Sequence, residues 1–133
     1  MTGKRVLLLG STGKMGHALA EVFRHGHELI CPSRPEFDAT DFMKVTDVVH
    51  RYRPDVVINT VAHLGIEPSE DDPRTAFQLN ALYPRLLAEL SSTDNFLLVH
   101  FSTDAVFSDR DAFYKEDDVP RPVNVYGMTK FAG

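Results

Sequence analysis

A tyrosine and a lysine near the end of the chain have the spacing of an acid–base pair. Tyr126 and Lys130 read Y-x-x-x-K, and four-residue spacing places both on one face of a helix. A neighbouring ammonium group stabilises a phenolate and brings a phenol toward the range in which it transfers protons at neutral pH. Such a pair can protonate the alkoxide that hydride transfer to a carbonyl produces. The alternative is an exposed tyrosine beside a solvated lysine.

A hydroxyl-bearing segment comes directly after the last predicted strand. Ser102, Thr103 and Asp104 follow the run Phe96 to Phe101, and ligands of open parallel sheets sit at the carboxyl ends of the strands. A hydroxyl group there could donate a hydrogen bond to a substrate carbonyl. The alternative is a turn capped by serine and aspartate side chains.

Three glycines at regular spacing follow the first predicted strand. Gly10, Gly13 and Gly16 form G-x-x-G-x-x-G between the apolar run Arg5 to Leu9 and a helical pattern that begins at Lys14. Glycines there permit a tight turn and the close approach of a pyrophosphate to a helix N-terminus. A Walker phosphate loop is excluded by the position of Lys14 and by the residue after it, which is not serine or threonine. A purely structural turn is the alternative.

The position that selects between two nicotinamide cofactors follows the second predicted strand. An acidic residue about 20 positions after the glycine loop typically binds the adenosine ribose. Ser33 and Arg34 occupy that region here, and a hydroxyl with a guanidinium group suits a 2′-phosphate. We therefore expect NADPH or NADH as the cofactor, with NADPH favoured. A solvated surface arginine is the alternative for Arg34.

The elements that must position these residues alternate between strand and helix. Four short apolar runs predict strands, and between them lie three helical patterns, one capped by Asp41 and one kinked by Pro84. A last helix is predicted from Asn124. We predict an α/β fold, a Rossmann-like doubly wound parallel sheet in the order 3-2-1-4, forming one NAD(P)-binding domain over residues 1–133. The predicted strands are Arg5 to Leu9, His27 to Cys31, Asp55 to Asn59 and Phe96 to Phe101.

Composition excludes several partners and compartments. The chain has 133 residues, a formal charge of −5 and no basic block, which argues against nucleic acid and against an anionic membrane surface. Cys31 is the single cysteine and the first residues lack a signal-peptide pattern, so we expect a cytoplasmic protein. The six histidines show no metal-like grouping, and we expect no metal. The acidic loop from Gly65 to Pro73 could hold a divalent ion between subunits, although solvated charge explains it as well.

Four segments together resemble a known family. GSTGKMG, NTVAH, HFSTDAVF and NVYGMTKFAG, in this order, resemble the extended short-chain dehydrogenase/reductases, most closely the dTDP-4-dehydrorhamnose reductase family. The resemblance implies reduction of the 4-keto group of a dTDP-linked 6-deoxyhexose by a reduced nicotinamide cofactor, in dTDP-rhamnose biosynthesis. It implies Thr103, Tyr126 and Lys130 as catalytic residues. The cofactor residues expected from the loop and the resemblance are Gly10, Gly13, Lys14, Met15, Gly16, Ser33, Arg34, Asp38, Ala39, Val61, Ala62, His63, Tyr126 and Lys130.

Some features differ from the family pattern. Ala105 stands where a tyrosine is usual, Leu64 where a threonine is usual, and Ser33 where an aspartate is usual. Family members continue with further strands and a substrate-binding region, so we expect a truncated domain that is inactive alone. A nucleotide-sugar epimerase or dehydratase with bound NAD is one alternative, and a non-catalytic dinucleotide-binding subunit is another. A homodimer is the assembly to test.

Overall fold

The computed structural model describes residues 3–108 and 113–133. The chain divides into two compact units. The first consists of Met1–Val61 and Tyr83–Phe101, and the second of Ala62–Leu82 and Ser102–Gly133. The predicted glycine loop falls in the first unit, and the predicted catalytic residues fall in the second.

A four-stranded parallel sheet forms the centre of the first unit. Its strands are β1 (Arg5–Leu9), β2 (Glu28–Ile30), β3 (Val56–Asn59) and β4 (Leu97–His100), in the order β2-β1-β3-β4. The doubly wound α/β class is confirmed, but the predicted order 3-2-1-4 is wrong. β3 pairs with β1 because the chain returns past β1 after β2, which places the change of winding direction between β1 and β3.

Three helices belong to the first unit: α1 (Lys14–Phe23), α2 (Phe42–Tyr52) and α5 (Tyr83–Asp94). Asp41 caps α2 as predicted, accepting hydrogen bonds from the backbone N–H groups of Met43 at 3.1 Å and Lys44 at 3.2 Å. The three- and four-residue spacing of apolar residues in α1 predicts a buried stripe of Met15, Ala18, Leu19, Val22 and Phe23, and this prediction is partly wrong. Met15 and Val22 are exposed, whereas Gly16 and Ala20 are buried, because Gly16 lies against the backbone of the glycine loop and Ala20 packs on the sheet.

The core of the first unit lies on both faces of the sheet. Val6, Leu8 and Ile58 pack with Ala20 of α1 into one cluster. Leu7, Leu9 and Val57 alternate with them along the strands and are fully buried as well. A strand buried on both faces reads as a continuous apolar run, which explains the sequence RVLLL of β1.

The second unit is helical. It contains α3 (Ile66–Asp71), α4 (Pro73–Phe77), a π-helical turn (Gln78–Leu82), a 3₁₀ turn (Asp104–Val106) and α6 (Val125–Ala132). The long helix predicted to kink at Pro84 is divided instead, with a π-helical turn just before the proline, since a proline supplies no N–H group to the residue four positions back. Asn124 caps α6 as predicted, with 2.7 Å from the Gly127 N–H group to its side-chain oxygen. Within residues 3–108 and 113–133, no helix is long and apolar enough to cross a membrane.

Candidate functional site

The three glycines of the loop differ in how the backbone around them constrains the residue at each position. Gly10 has φ +87°, a left-handed conformation that favours glycine. A Cβ on Gly16 would overlap with the Gly10 carbonyl oxygen and lie 2.8 Å from Ser11 Cα, so Gly16 lets α1 pack on the loop. A Cβ on Gly13 would lie 3.5 Å from the Gly10 oxygen, an ordinary contact distance. The fold alone therefore does not require glycine at position 13, and the predicted cofactor-binding role of Gly13 stays a prediction.

The start of α1 offers unneutralised N–H groups to an anion. Gly13 is the N-cap and provides no side-chain cap, and the first turn has no acidic residue. Lys14 and Met15, both exposed, form that first turn. The partial positive charge of the helix terminus and the Lys14 ammonium group therefore act in the same direction, as a pyrophosphate site requires.

The carboxyl ends of β1 and β3 come together at this loop. Thr60 donates its hydroxyl hydrogen to the carbonyl oxygens of Leu9 at 2.9 Å and Gly10 at 3.0 Å. A Cβ on Gly10 would lie 3.1 Å from the backbone nitrogen of Val61. The predicted cofactor residues Gly10 and Val61 are thus neighbours, at the point where the winding of the sheet reverses.

The segment after β2 carries the other predicted cofactor residues of this unit. The side chains of Ser33 and Arg34 are exposed. Asp38 is exposed too, and its Oδ1 accepts from the Thr40 hydroxyl at 2.7 Å and the Thr40 N–H group at 2.9 Å. These hydrogen bonds, first that of the hydroxyl, lower the pKa of Asp38. Ala39 is buried beside it.

A buried polar network at the end of β3 escaped the sequence analysis. The Oδ1 atom of Asn59 accepts from the Tyr83 hydroxyl at 3.1 Å and from the Val61 N–H group at 3.1 Å. Its Nδ2 lies 3.0 Å from Nδ1 of His100 on β4. Burial raises the pKa of Tyr83 well above its usual range, so its hydroxyl stays a donor. The network holds the backbone of Val61, and a polar residue ending an apolar strand is the signal that could have found it.

In the second unit, Thr103 begins the 3₁₀ turn. Its hydroxyl accepts from the Ala105 N–H group at 3.3 Å, so a side chain of this segment caps the turn, and it is that of Thr103 rather than the serine or aspartate of the alternative. α6 packs closely on this turn, because a Cβ on Gly127 would overlap with the Ala105 carbonyl oxygen. Gly127 directly follows Tyr126, so the packing brings the start of α6 to the turn that Thr103 begins. Sequence reasoning missed the role of Gly127.

The two ends of the Y-x-x-x-K motif differ in exposure. Tyr126 is half-buried, whereas Lys130 is only 6% exposed. Burial lowers the pKa of Lys130. A lysine this buried is not the solvated surface residue of the alternative interpretation.

Asn80, in the π-helical turn, ties α6 to the segment after β3. This fully buried side chain accepts from the His63 N–H group at 2.8 Å and donates to the His63 carbonyl oxygen at 3.0 Å. It also donates to the Thr129 hydroxyl at 3.0 Å, and Thr129 donates to the Tyr126 carbonyl oxygen at 3.0 Å. One side chain thereby positions the predicted cofactor residue His63, next to the half-buried Ala62, and the helix of Tyr126 and Lys130.

The segment predicted as an acidic loop from Gly65 to Pro73 forms the helix α3 instead, and it uses two of its carboxylates for structure. Glu70 accepts from the Val125 N–H group at 2.9 Å, and Asp72 caps α4 through the Thr75 N–H group at 3.0 Å. Bonds to the side chain and then the backbone of Thr75 lower the pKa of Asp72. In the described part of the chain, no group of three or more histidine, cysteine, aspartate or glutamate residues could hold a metal ion.

The parallel sheet and its glycine loop define a Rossmann-like α/β protein. Residues 4–133 match the protein family described as RmlD substrate binding domain. The chain belongs to this family. This assignment confirms the resemblance predicted from the sequence, because dTDP-4-dehydrorhamnose reductases are among the proteins similar to this chain.

Three relatives illustrate the match. A dTDP-4-dehydrorhamnose reductase of Mycolicibacterium smegmatis is 38% identical over 98% of this chain and 40% of its own length. The methionine adenosyltransferase 2 subunit beta of Pongo abelii is 31% identical over 98% of this chain and 41% of its own. A crystal structure of dTDP-4-dehydrorhamnose reductase from Bacillus anthracis in complex with NADP has a TM-score of 0.92 at 30% identity, covering 99% of this chain and 48% of that one. The chain therefore spans less than half the length of these relatives.

Proposed function

We propose that this chain is the cofactor-binding and catalytic part of an NADPH-dependent reductase that acts on a nucleotide-linked 4-keto-6-deoxy sugar. The observation that carries the proposal is the packing of α6 on the turn that Thr103 begins, with Gly127 against the Ala105 carbonyl. It places the hydroxyl of Thr103 in the same unit as Tyr126 and the buried Lys130. The identity to dTDP-4-dehydrorhamnose reductases supports the substrate class.

The proposed chemistry divides among three side chains. The reduced nicotinamide supplies the hydride that adds to the C4 carbonyl carbon. The hydroxyl of Thr103 donates a hydrogen bond to the carbonyl oxygen, and Tyr126 gives its phenolic proton to the alkoxide that forms. The ammonium group of Lys130 stabilises the phenolate left on Tyr126.

The cofactor would lie along the glycine loop. The uncapped start of α1 and the open position of a Cβ on Gly13 fit a pyrophosphate. Ser33 and Arg34, both exposed, favour NADPH over NADH, and the Bacillus anthracis relative was solved with NADP. The remaining proposed contacts come from Lys14, Met15, Gly10, Gly16, Asp38, Ala39, Val61, Ala62, His63, Tyr126 and Lys130.

A chimera tests the activity. Residues 4–133 replace the matching part of the Mycolicibacterium smegmatis reductase, and NADPH oxidation is followed with a dTDP-linked 4-keto-6-deoxyhexose. We expect turnover, and we expect Tyr126→Phe in the same chimera to lower kcat by about 10² or more, since it removes the proton donor and keeps the ring. NADPH affinity should stay unchanged. A folded chimera that binds NADPH without turnover would contradict the proposal, as would an active Tyr126→Phe variant.

A non-catalytic subunit is the second candidate function. The 31% identity to a methionine adenosyltransferase subunit beta favours it, as do Ala105 and Leu64, which differ from the reductase pattern. This candidate predicts dinucleotide binding by the chimera without reduction of any sugar. An epimerase or dehydratase predicts instead that the purified protein retains NAD.

Compartment and assembly complete the proposal. We place the reaction in the cytoplasm, which suits the exposed free thiol of Cys31, and fractionation of the source cells tests this. A homodimer stays a prediction, and light scattering of the purified protein would measure its mass.

A further inference from the structure

Glu36 ties the turn after β2 to the last turn of α2. Its Oε1 atom accepts from the Tyr52 hydroxyl at 2.6 Å and from Nη1 of Arg51 at 2.8 Å. The hydrogen bond from Tyr52, ahead of that from Arg51, lowers the pKa of Glu36, so the carboxylate is ionised at neutral pH. The Glu36 side chain is 21% exposed although its partner Arg51 is 61% exposed. A charged side chain this covered in a surface turn has a defined position.

The same turn is held on its other side by an aromatic contact. The Ser33 carbonyl oxygen accepts from the N–H groups of Glu36 at 3.0 Å and Phe37 at 2.9 Å, which closes the turn. The Phe37 ring lies 6.3 Å from the ring of Tyr83, at an interplanar angle of 54°. Tyr83 is fully buried and is itself bound to Asn59. Residues 33–37 are therefore fixed both to α2 and to the core.

The side chains of Ser33 and Arg34 do not take part in the contacts that hold this turn. Ser33 uses its backbone carbonyl, and its side chain is exposed, as is that of Arg34. A cavity of about 450 Å³ adjoins the turn, lined by Ser33 and Glu36 and, from α2, by Lys44, Asp47 and Arg51 among others. A turn with two anchors therefore presents the Ser33 hydroxyl to an open cavity and carries an exposed guanidinium group on the next residue, and both groups suit an anionic ligand.

We propose that Glu36 is a positioning residue that sets the preference of the site for NADPH over NADH, by holding the turn that presents Ser33 and Arg34 to the 2′-phosphate. This inference rests on the proposed function. A side chain ordered before binding loses less conformational freedom when the ligand arrives. NADH lacks the 2′-phosphate, so its affinity does not depend on whether Ser33 and Arg34 are ordered before binding. The ratio of the NADPH and NADH affinities therefore reports the role of Glu36.

The charge of Glu36 and its role as an anchor predict opposite effects of its removal on NADPH affinity, which makes the proposal testable. Removal of a carboxylate near a phosphate would by itself strengthen NADPH binding, because it removes a repulsion. Loss of the anchor would weaken NADPH binding, because Ser33 and Arg34 must then be ordered by the ligand. Glu36→Gln removes the charge and keeps an oxygen that can accept from Tyr52, whereas Glu36→Ala removes both.

The experiment measures the dissociation constants of NADPH and NADH for the 133-residue chain and its variants by calorimetry at physiological salt. We expect Glu36→Ala to lower the preference for NADPH about threefold to tenfold, with NADH affinity changed less than twofold. Glu36→Gln should keep or raise the preference. The matched control is Glu28→Ala, which removes an equal charge and the exposed ion pair with Arg5 at 3.0 Å, at the start of β2.

The outcomes separate the two proposals. A wild-type chain that binds neither dinucleotide overturns the proposed function and this inference with it. A wild-type chain that binds NADPH, with an unchanged or raised preference in Glu36→Ala, overturns the inference alone. An equal loss for both dinucleotides means general unfolding and also overturns it. Should Glu36→Ala fail to fold, Tyr52→Phe removes one hydroxyl from the anchor and should lower the preference in the same direction.

Discussion

Alanine substitutions at two glycines of the loop should have opposite consequences for stability. At Gly16, an added Cβ overlaps with the Gly10 carbonyl oxygen and lies 2.8 Å from both Gly10 C and Ser11 Cα, all of them backbone atoms that move only with the loop. Such overpacking costs about 3 kcal/mol at the upper end of its usual range. Alanine in place of glycine in a helix returns about 1 kcal/mol. We expect Gly16→Ala to lower the free energy of unfolding by about 2 kcal/mol.

At Gly13 the same substitution should leave the fold intact. The backbone there has φ −76° and ψ 167°, which alanine adopts freely, and the new methyl group would meet the Gly10 oxygen at 3.5 Å. Loss of conformational freedom in the unfolded chain then makes Gly13→Ala equal to wild type or more stable by about 0.4–1 kcal/mol. NADPH affinity should nevertheless fall about tenfold or more, because the methyl group occupies the space through which a pyrophosphate reaches the backbone N–H groups.

Urea unfolding and calorimetry with NADPH check both variants. With a urea dependence of about 2 kcal/mol per M for a domain of this size, Gly16→Ala should move the midpoint down by about 1 M. A Gly13→Ala chain of native stability and native NADPH affinity would refute the assignment of this loop to the pyrophosphate. A Gly16→Ala chain of native stability would refute the packing argument.

Three further substitutions test the remaining contacts. Arg34→Asp should shift the preference from NADPH toward NADH, since a carboxylate repels a 2′-phosphate and accepts from a ribose 2′-hydroxyl; an unchanged ratio would mean that Arg34 points away. Asn80→Ala should lower the free energy of unfolding by about 3 kcal/mol, because it leaves the His63 N–H and carbonyl groups without their partner; a loss below about 1 kcal/mol in urea unfolding would contradict this. Burial lowers the pKa of Lys130 below 10.5, so the unfolded chain binds more protons in the window just below 10.5 and stability rises with pH there. Lys130→Met should flatten that rise in urea titrations across this window, and an unchanged slope would contradict the assignment.

The strands and most helix ends could be predicted because their signals are local. Asp41, Asn124 and Pro84 act on their own or adjacent turns: the structure shows the two caps where the sequence places them, and a π-helical turn directly before Tyr83 and Pro84. The strand order could not be predicted this way. Whether β3 pairs with β1 or lies beyond β2 depends on the path of a whole crossover, and no short pattern records it.

The site residues could be predicted where they belong to a short sequence motif. They could not be predicted where one side chain binds residues that are distant in the sequence. The glycine loop and Y-x-x-x-K are short and ordered along the chain. Asn80 joins His63 to Thr129, which lies 49 residues after Asn80, and Asn59 joins β3 to Tyr83. The hydrogen-bond partners of a buried asparagine depend on the residues that the fold brings around it, whereas the sequence shows only that the asparagine lies among apolar residues.

The central position of β1 bears on how the first unit folds. β1 pairs with β2 through Leu7 and Ile30 and with β3 through Leu7 and Val57, whereas the consecutive strands β2 and β3 do not pair with each other. Each pair of strands must therefore close a loop of more than about 20 residues before its first inter-strand hydrogen bond forms, and such non-local closures slow folding. β1 is left with only a three-residue partner until Val56–Asn59 arrives. A nascent chain that has not yet delivered β3 should thus remain sensitive to proteases, with protection appearing in one step once β1 is enclosed on both sides.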